Sequence, residues 1–229
     1  MNNGFSILEL IIALALSLTI LSIVITNVSE TSIISKKVTS KQDVLESVFH
    51  TVDTIKTDLT KCGMRLQEAS KCFNFPLFEH SEKSFRVIYG ISSEIFQTDY
   101  FKGEKMIDVN KNEFFRKGKP VLVYNIDNNV FEFNEIKKLE NGKIILLKNL
   151  ENDYLKNSII VALKQVNYKL YSKQNVLKRK TGKGYFQPLI ENVTDFYIKL
   201  FPESNSVLYR IEVNNKEQIR GYIFLINTV

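Results

Sequence analysis

Hydrophobic positions change their period twice along this chain. From Leu10 to Ile25 almost every residue is apolar, with no polar face at any helical phase. The stretch 5–28 supplies about 24 residues, and a helix needs roughly 20 to cross a bilayer, so a membrane-spanning helix is expected there. Beyond it the apolar residues thin to a stripe. Ile34 and Val38, then Leu45, Val48, Val52, Ile55, Leu59, Cys62 and Leu66 fall at alternating spacings of three and four, broken only at Lys41. That spacing predicts a helix with one apolar side, its other faces carrying Lys56, Asp58, Lys61 and Gln67. A dimeric coiled coil would show the same spacing. We expect packing on the chain's own sheet, because a β-rich region follows at once and needs cover. A single helix from Phe5 to about Gln67 would be roughly 95 Å long.

After Cys72 the period becomes two. Segments 85–89, 121–124, 130–133, 144–147, 159–163, 166–171, 194–200, 207–213 and 219–226 read as strands. Turn signals separate them at Asn128-Asn129, Asn141-Gly142, Ser204-Asn205 and Asn214-Asn215. Val207, Tyr209, Ile211 and Val213 alternate with Arg210, Glu212 and Asn214, which implies one buried and one wet face. A long N-terminal helix followed by antiparallel strands is an α+β class.

Within the apolar segment stands one carboxylate, Glu9. An ionisable group at membrane depth is costly and marks a functional position; the plain alternative is a glutamate near the helix end that reaches out to the headgroups. Its surroundings carry a more specific meaning. Gly4-Phe5-Ser6-Ile7-Leu8-Glu9, followed by the apolar run, resembles the type III signal of type IV pilins and type II secretion pseudopilins. In that family a membrane-embedded prepilin peptidase cuts after the glycine and methylates the new N-terminal residue. The resemblance implies a cut between Gly4 and Phe5, an N-methylated Phe5, and a Glu9 that meets a neighbouring subunit's ammonium and sets the axial register. The leader Met1-Asn2-Asn3-Gly4 is short and lacks the Lys or Arg common in the family, and the first helical stretch has no proline. Two further segments narrow the resemblance. Thr57-Asp58-Leu59-Thr60-Lys61-Cys62-Gly63 is similar to the stretch that ends the helix in W-type minor pilins, with Cys62 where an alanine is expected. Pro188-Leu189-Ile190-Glu191-Asn192-Val193-Thr194-Asp195-Phe196 resembles a strand opening shared by W-type minor pilins and J-type pseudopilins.

The division expected on this basis is a leader at 1–4, a transmembrane and assembly helix at 5–28, an amphipathic continuation at 29–70 and a β-rich head at 71–229. The expected partners are the prepilin peptidase, other minor pilins or pseudopilins, the major pilin and the membrane. The expected location is the cytoplasmic membrane, with the N-terminus in the cytoplasm and the head outside, and later a pilus or pseudopilus. Basic residues alone do not give that orientation, since Lys36 and Lys37 follow the apolar run. An ordinary secretory signal fits poorly, because the run is too long and no Ala-x-Ala site follows it.

The remaining chemistry excludes more than it adds. A net charge of +6 could suit nucleic acid, but no compact basic patch with interleaved aromatics is evident, so nucleic acid is not an expected partner. The densest cluster, Lys178-Arg179-Lys180 with Lys183, adjoins Gly182 and Gly184 and reads as a solvated loop. Cys62 and Cys72 are the only cysteines; outside the cytoplasm an even count favours a disulfide, with two buried thiols as the alternative. His50 and His80 are the only histidines and no metal-ligand spacing occurs, so no metal or cofactor is expected. No nucleophile elbow, Walker loop or dinucleotide fingerprint is present, and Glu132 and Glu135 read as a solvated face. The expectation is a structural subunit rather than an enzyme. The rival reading is a membrane-tethered binding or enzymatic domain whose N-terminal similarity is incidental.

Overall fold

The computed structural model describes residues 7–109, 113–214 and 217–225. Helix α1 spans Ile7–Thr60. The chain divides into two compact units, Met1–His50 and Thr51–Val229, the second of which is called the head below. In the first unit, Ile34, Val38 and Leu45 are exposed. Burial begins at Val48 and continues through Val52, Ile55, Leu59, Cys62 and Leu66.

The helix stops at Thr60, earlier than the pattern of spacings suggested. Gly63 takes a positive φ of 74°, the conformation that ends helices because only glycine adopts it without strain. Its N–H then leaves the helical ladder and donates to Ile88 O at 3.0 Å. Gly90 N–H returns the link to Met64 O at 2.8 Å, so the turn is stitched to a strand. Gly90 is needed for this approach: a Cβ there would stand 2.6 Å from Val161 Cγ1 and 3.2 Å from Met64 O. A short α2, Gln67–Phe73, follows and turns Ala69 inward.

The head's strands are β1 (Phe78–Ser81), β2 (Ser84–Ile95), β3 (Met106–Asp108), β4 (Pro120–Asn125), β5 (Val130–Glu140), β6 (Lys143–Leu146), β7 (Ile159–Tyr171), β8 (Val176–Thr181), β9 (Gln187–Ile190), β10 (Val193–Phe201), β11 (Ser206–Val213) and β12 (Glu217–Phe224). All pair antiparallel. One sheet runs β1-β2-β7-β4-β5-β6-β3, with β8 joined to β7 and β9 to β8; a second runs β10-β11-β12. The protein is therefore α+β, as the two periods imply.

Two departures from the sequence reading shape the head. Segments 159–163 and 166–171 are one strand, β7, because Lys164 and Gln165 continue the extended backbone instead of turning. Lys178, Arg179 and Lys180 lie in β8 and pair with Lys169, Tyr168 and Asn167, so this cluster is not a loop. The core lies on both sides of the larger sheet. Residues 121–125 of β4 are all buried, as a strand covered on both faces requires. Val121, Val123, Ile136, Ile160 and Ala162 meet Phe96, Phe115 and Tyr154 from the connecting segments. The alternation expected in β11 is present, with Val207, Tyr209, Ile211 and Val213 buried.

Candidate functional site

The apolar half of α1 is accessible on every face. Leu8, Leu10, Ile11, Ile12, Leu14, Leu16, Leu18, Ile20, Leu21, Ile23, Val24 and Ile25 are each at least half exposed. No charged residue occurs between Glu9 and Glu30. Residues 7–28 rise about 33 Å at 1.5 Å per residue, which matches a hydrocarbon core of about 30 Å. This helix is long and apolar enough to cross a membrane.

Its few polar side chains are arranged accordingly. Ser17 Oγ donates to Ala13 O at 2.7 Å, Thr19 Oγ1 to Leu16 O at 2.8 Å and Thr26 Oγ1 to Ser22 O at 2.9 Å. Each hydroxyl spends its proton on a carbonyl of its own helix, so none needs water. Glu9 is the one acidic residue near the start of the described helix. Gly4 and Phe5, the expected cleavage pair, lie outside the described residues.

The expected disulfide between Cys62 and Cys72 is absent: both thiols are free, Cys62 buried and Cys72 exposed. Cys62 continues the buried side formed by Ile55 and Leu59, and its thiol donates to Leu77 O at 3.3 Å. Cys72 sits on α2, whose inward position is Ala69. Burial pushes the Cys62 thiol up to about 12, which leaves it protonated and unreactive at neutral pH.

Asp58 and Glu132, expected on wet faces, are both buried. Asp58 is 3% exposed; Tyr168 OH donates to its Oδ2 at 2.5 Å, and Arg179 reaches the same oxygen through Nε at 2.9 Å and Nη2 at 2.8 Å. Arg179 Nε also lies 3.1 Å from Tyr168 OH, and the Tyr168 ring stacks on Phe85 at 4.4 Å between centroids. Burial first, then the Asp58 charge, holds the Tyr168 hydroxyl well above its ordinary range. The signal for Asp58 was in the spacing, since it stands three residues after Ile55 and four before Cys62, in phase with the buried side. Glu132 is also buried, accepting from Glu151 N at 2.8 Å and from Tyr154 OH at 3.3 Å. Each network ties distant segments together: α1 to β7 and β8 in the first case, β5 to the segment after Leu150 in the second. Among the described residues no group of three or more His, Cys, Asp or Glu could hold a metal ion.

No protein-family model and no curated protein matches this chain.

Proposed function

We propose that this chain is a minor pilin or pseudopilin: a structural subunit that helps to start or cap a type IV pilus or a secretion pseudopilus. The carrying observation is the register of Gly4, Phe5 and Glu9 against a helix that is apolar on all sides. A membrane helix of that kind gains little by exchanging lipid tails for another apolar helix, since both are equally apolar. Apolar side chains therefore hold the subunit in place without fixing its axial position. A single charge can fix it. After cleavage the Phe5 ammonium of one subunit and the Glu9 carboxylate of another would attract strongly in low dielectric, and a slipped register would leave both unpaired.

On this reading the N-terminus faces the cytoplasm, α1 anchors the precursor in the cytoplasmic membrane, and the head lies outside. The prepilin peptidase, other minor subunits and the major pilin are its partners. Cleavage also requires the peptidase to approach the backbone at Gly4, where a side chain would obstruct it. Intact mass spectrometry tests the proposal. The protein is expected to lose residues 1–4 and gain a methyl group only in cells with an active prepilin peptidase, and the Gly4→Val variant is expected to remain unprocessed. A mass independent of the peptidase would refute the proposal and favour a tethered binding or enzymatic domain.

A further inference from the structure

Strand β7 changes neighbours along one edge. It pairs with β4 as far as Ala162 opposite Val121, and with β8 from Val166 opposite Thr181 onward. Between these, Leu163, Lys164 and Gln165 face the gap where β4 begins at Pro120 and β8 ends at Thr181. The gap opens as a cleft of about 230 Å³. That is below the usual 300–1,000 Å³ of sites for drug-sized ligands, and suits a small ion with some of its water.

Four lysines from three separate segments line it: Lys117 and Lys119 on the approach to β4, Lys164 on β7 and Lys183 after β8. Lys183 is ion-paired with Glu135. Among the described residues, no carboxylate lies within 4.0 Å of the other three ammonium groups. Lys164 is half-buried and shares a sheet face with Tyr89, its cross-strand partner, whose ring centroid is 5.8 Å from Nζ. Its ammonium is held below the ordinary lysine range by burial; Asp58 opposes this, while Arg179, Lys61 and Lys119 add to it. Asp58 is already engaged by Arg179. The cleft is thus lined by three lysines with no carboxylate partner among the described residues, while Glu135 neutralises the fourth, Lys183.

The backbone offers little more. Gly118 N–H donates to Ile136 O, Lys119 N–H to Arg116 O and Gly182 N–H to Gln165 O. Recognition falls to ammonium groups on flexible stems, which act as point charges and suit an anion with several charged oxygens. We propose that this cleft binds a phosphate group, either free or carried on an anionic polymer. The proposal goes beyond filament assembly and does not rest on it.

Isothermal titration calorimetry on the full chain in detergent micelles, at constant ionic strength, tests it with inorganic phosphate and with inorganic polyphosphate as probes. Saturable binding of at least one probe is expected, weakened about tenfold or more in the Lys119→Ala/Lys164→Ala variant. Lys102→Ala/Lys199→Ala, which removes the same charge elsewhere on the head, is expected to leave affinity nearly unchanged, and Lys164→Arg to retain it. Near-UV circular dichroism checks that each variant is folded, and Lys119→Gln/Lys164→Gln replaces the alanine pair if that pair is not. Binding of inorganic phosphate identifies a free anion as the ligand, whereas binding of polyphosphate alone, lost in the cleft variant, identifies a polymer. No binding of either probe would overturn the proposal. So would equal weakening by the cleft and control pairs, which would indicate a diffuse positive field.

Discussion

Replacing Asp58 by alanine tests whether the helix-to-sheet link is energetically real. In the native head one carboxylate oxygen accepts from Tyr168 and from Arg179, at 2.5–2.9 Å. Removing it strands a tyrosine hydroxyl that is almost wholly buried and a guanidinium whose side chain is 27% exposed. Breaking a buried pair by deleting one partner costs roughly 3–5 kcal/mol. Arg179 can recover part of this by turning toward water, so about 3 kcal/mol is the working figure. For a domain of this size each kcal/mol moves Tm by about 2–4 °C, which predicts a fall of roughly 6–12 °C. The assay is thermal unfolding of the full chain in micelles, followed by near-UV circular dichroism of the tyrosines, since the chain has no tryptophan. Asp53→Ala, an exposed site on the same helix, is the control and should change stability by less than about 0.5 kcal/mol. The double variant Asp58→Ala/Arg179→Met should lose less than the two single losses combined, because the stranded charge is gone. A Tm for Asp58→Ala equal to that of Asp53→Ala would refute the reasoning.

The Glu9→Ala variant should be cleaved and inserted normally, yet co-purify poorly with neighbouring subunits, since an unpaired buried ammonium costs about 3–5 kcal/mol; wild-type yield in pull-downs would contradict the register role. In the native protein a maleimide reagent should label Cys72 and spare Cys62, with both labelled after denaturation; absence of labelling in denatured, unreduced protein would mean that a disulfide forms after all. Stability should be unaffected by Cys62 and Tyr89 below about pH 9 and should fall as pH rises through 9–12. The unfolded chain releases these protons at 9.0 and 10.0, whereas burial holds both groups at about 12 in the fold. Measured Tm against pH checks this, and Cys62→Ala should flatten the early part of the decline.

What the sequence determined by itself is whatever depends on neighbours close along the chain. The apolar run after Glu9, the helix through Leu59 and the alternation in β11 are local periodicities, so residue order alone exposes them. The same order carries the Gly4, Phe5 and Glu9 register on which the functional proposal stands. Tertiary structure decided what depends on partners far along the chain. Lys178-Arg179-Lys180 has loop composition, and only pairing with Tyr168 and its neighbours makes it a strand. Asp58 has the look of a wet helical face, and only Tyr168 and Arg179, 110 and 121 residues away, make its burial tolerable. Cys62 and Cys72 are close in sequence, yet the chain turns at Gly63 and starts a second helix between them, so one thiol is buried and the other exposed. The lysine cleft follows the same rule: it exists where one strand exchanges β4 for β8, and no local pattern encodes that exchange, because hydrogen bonding between strands is set by which segments meet in space.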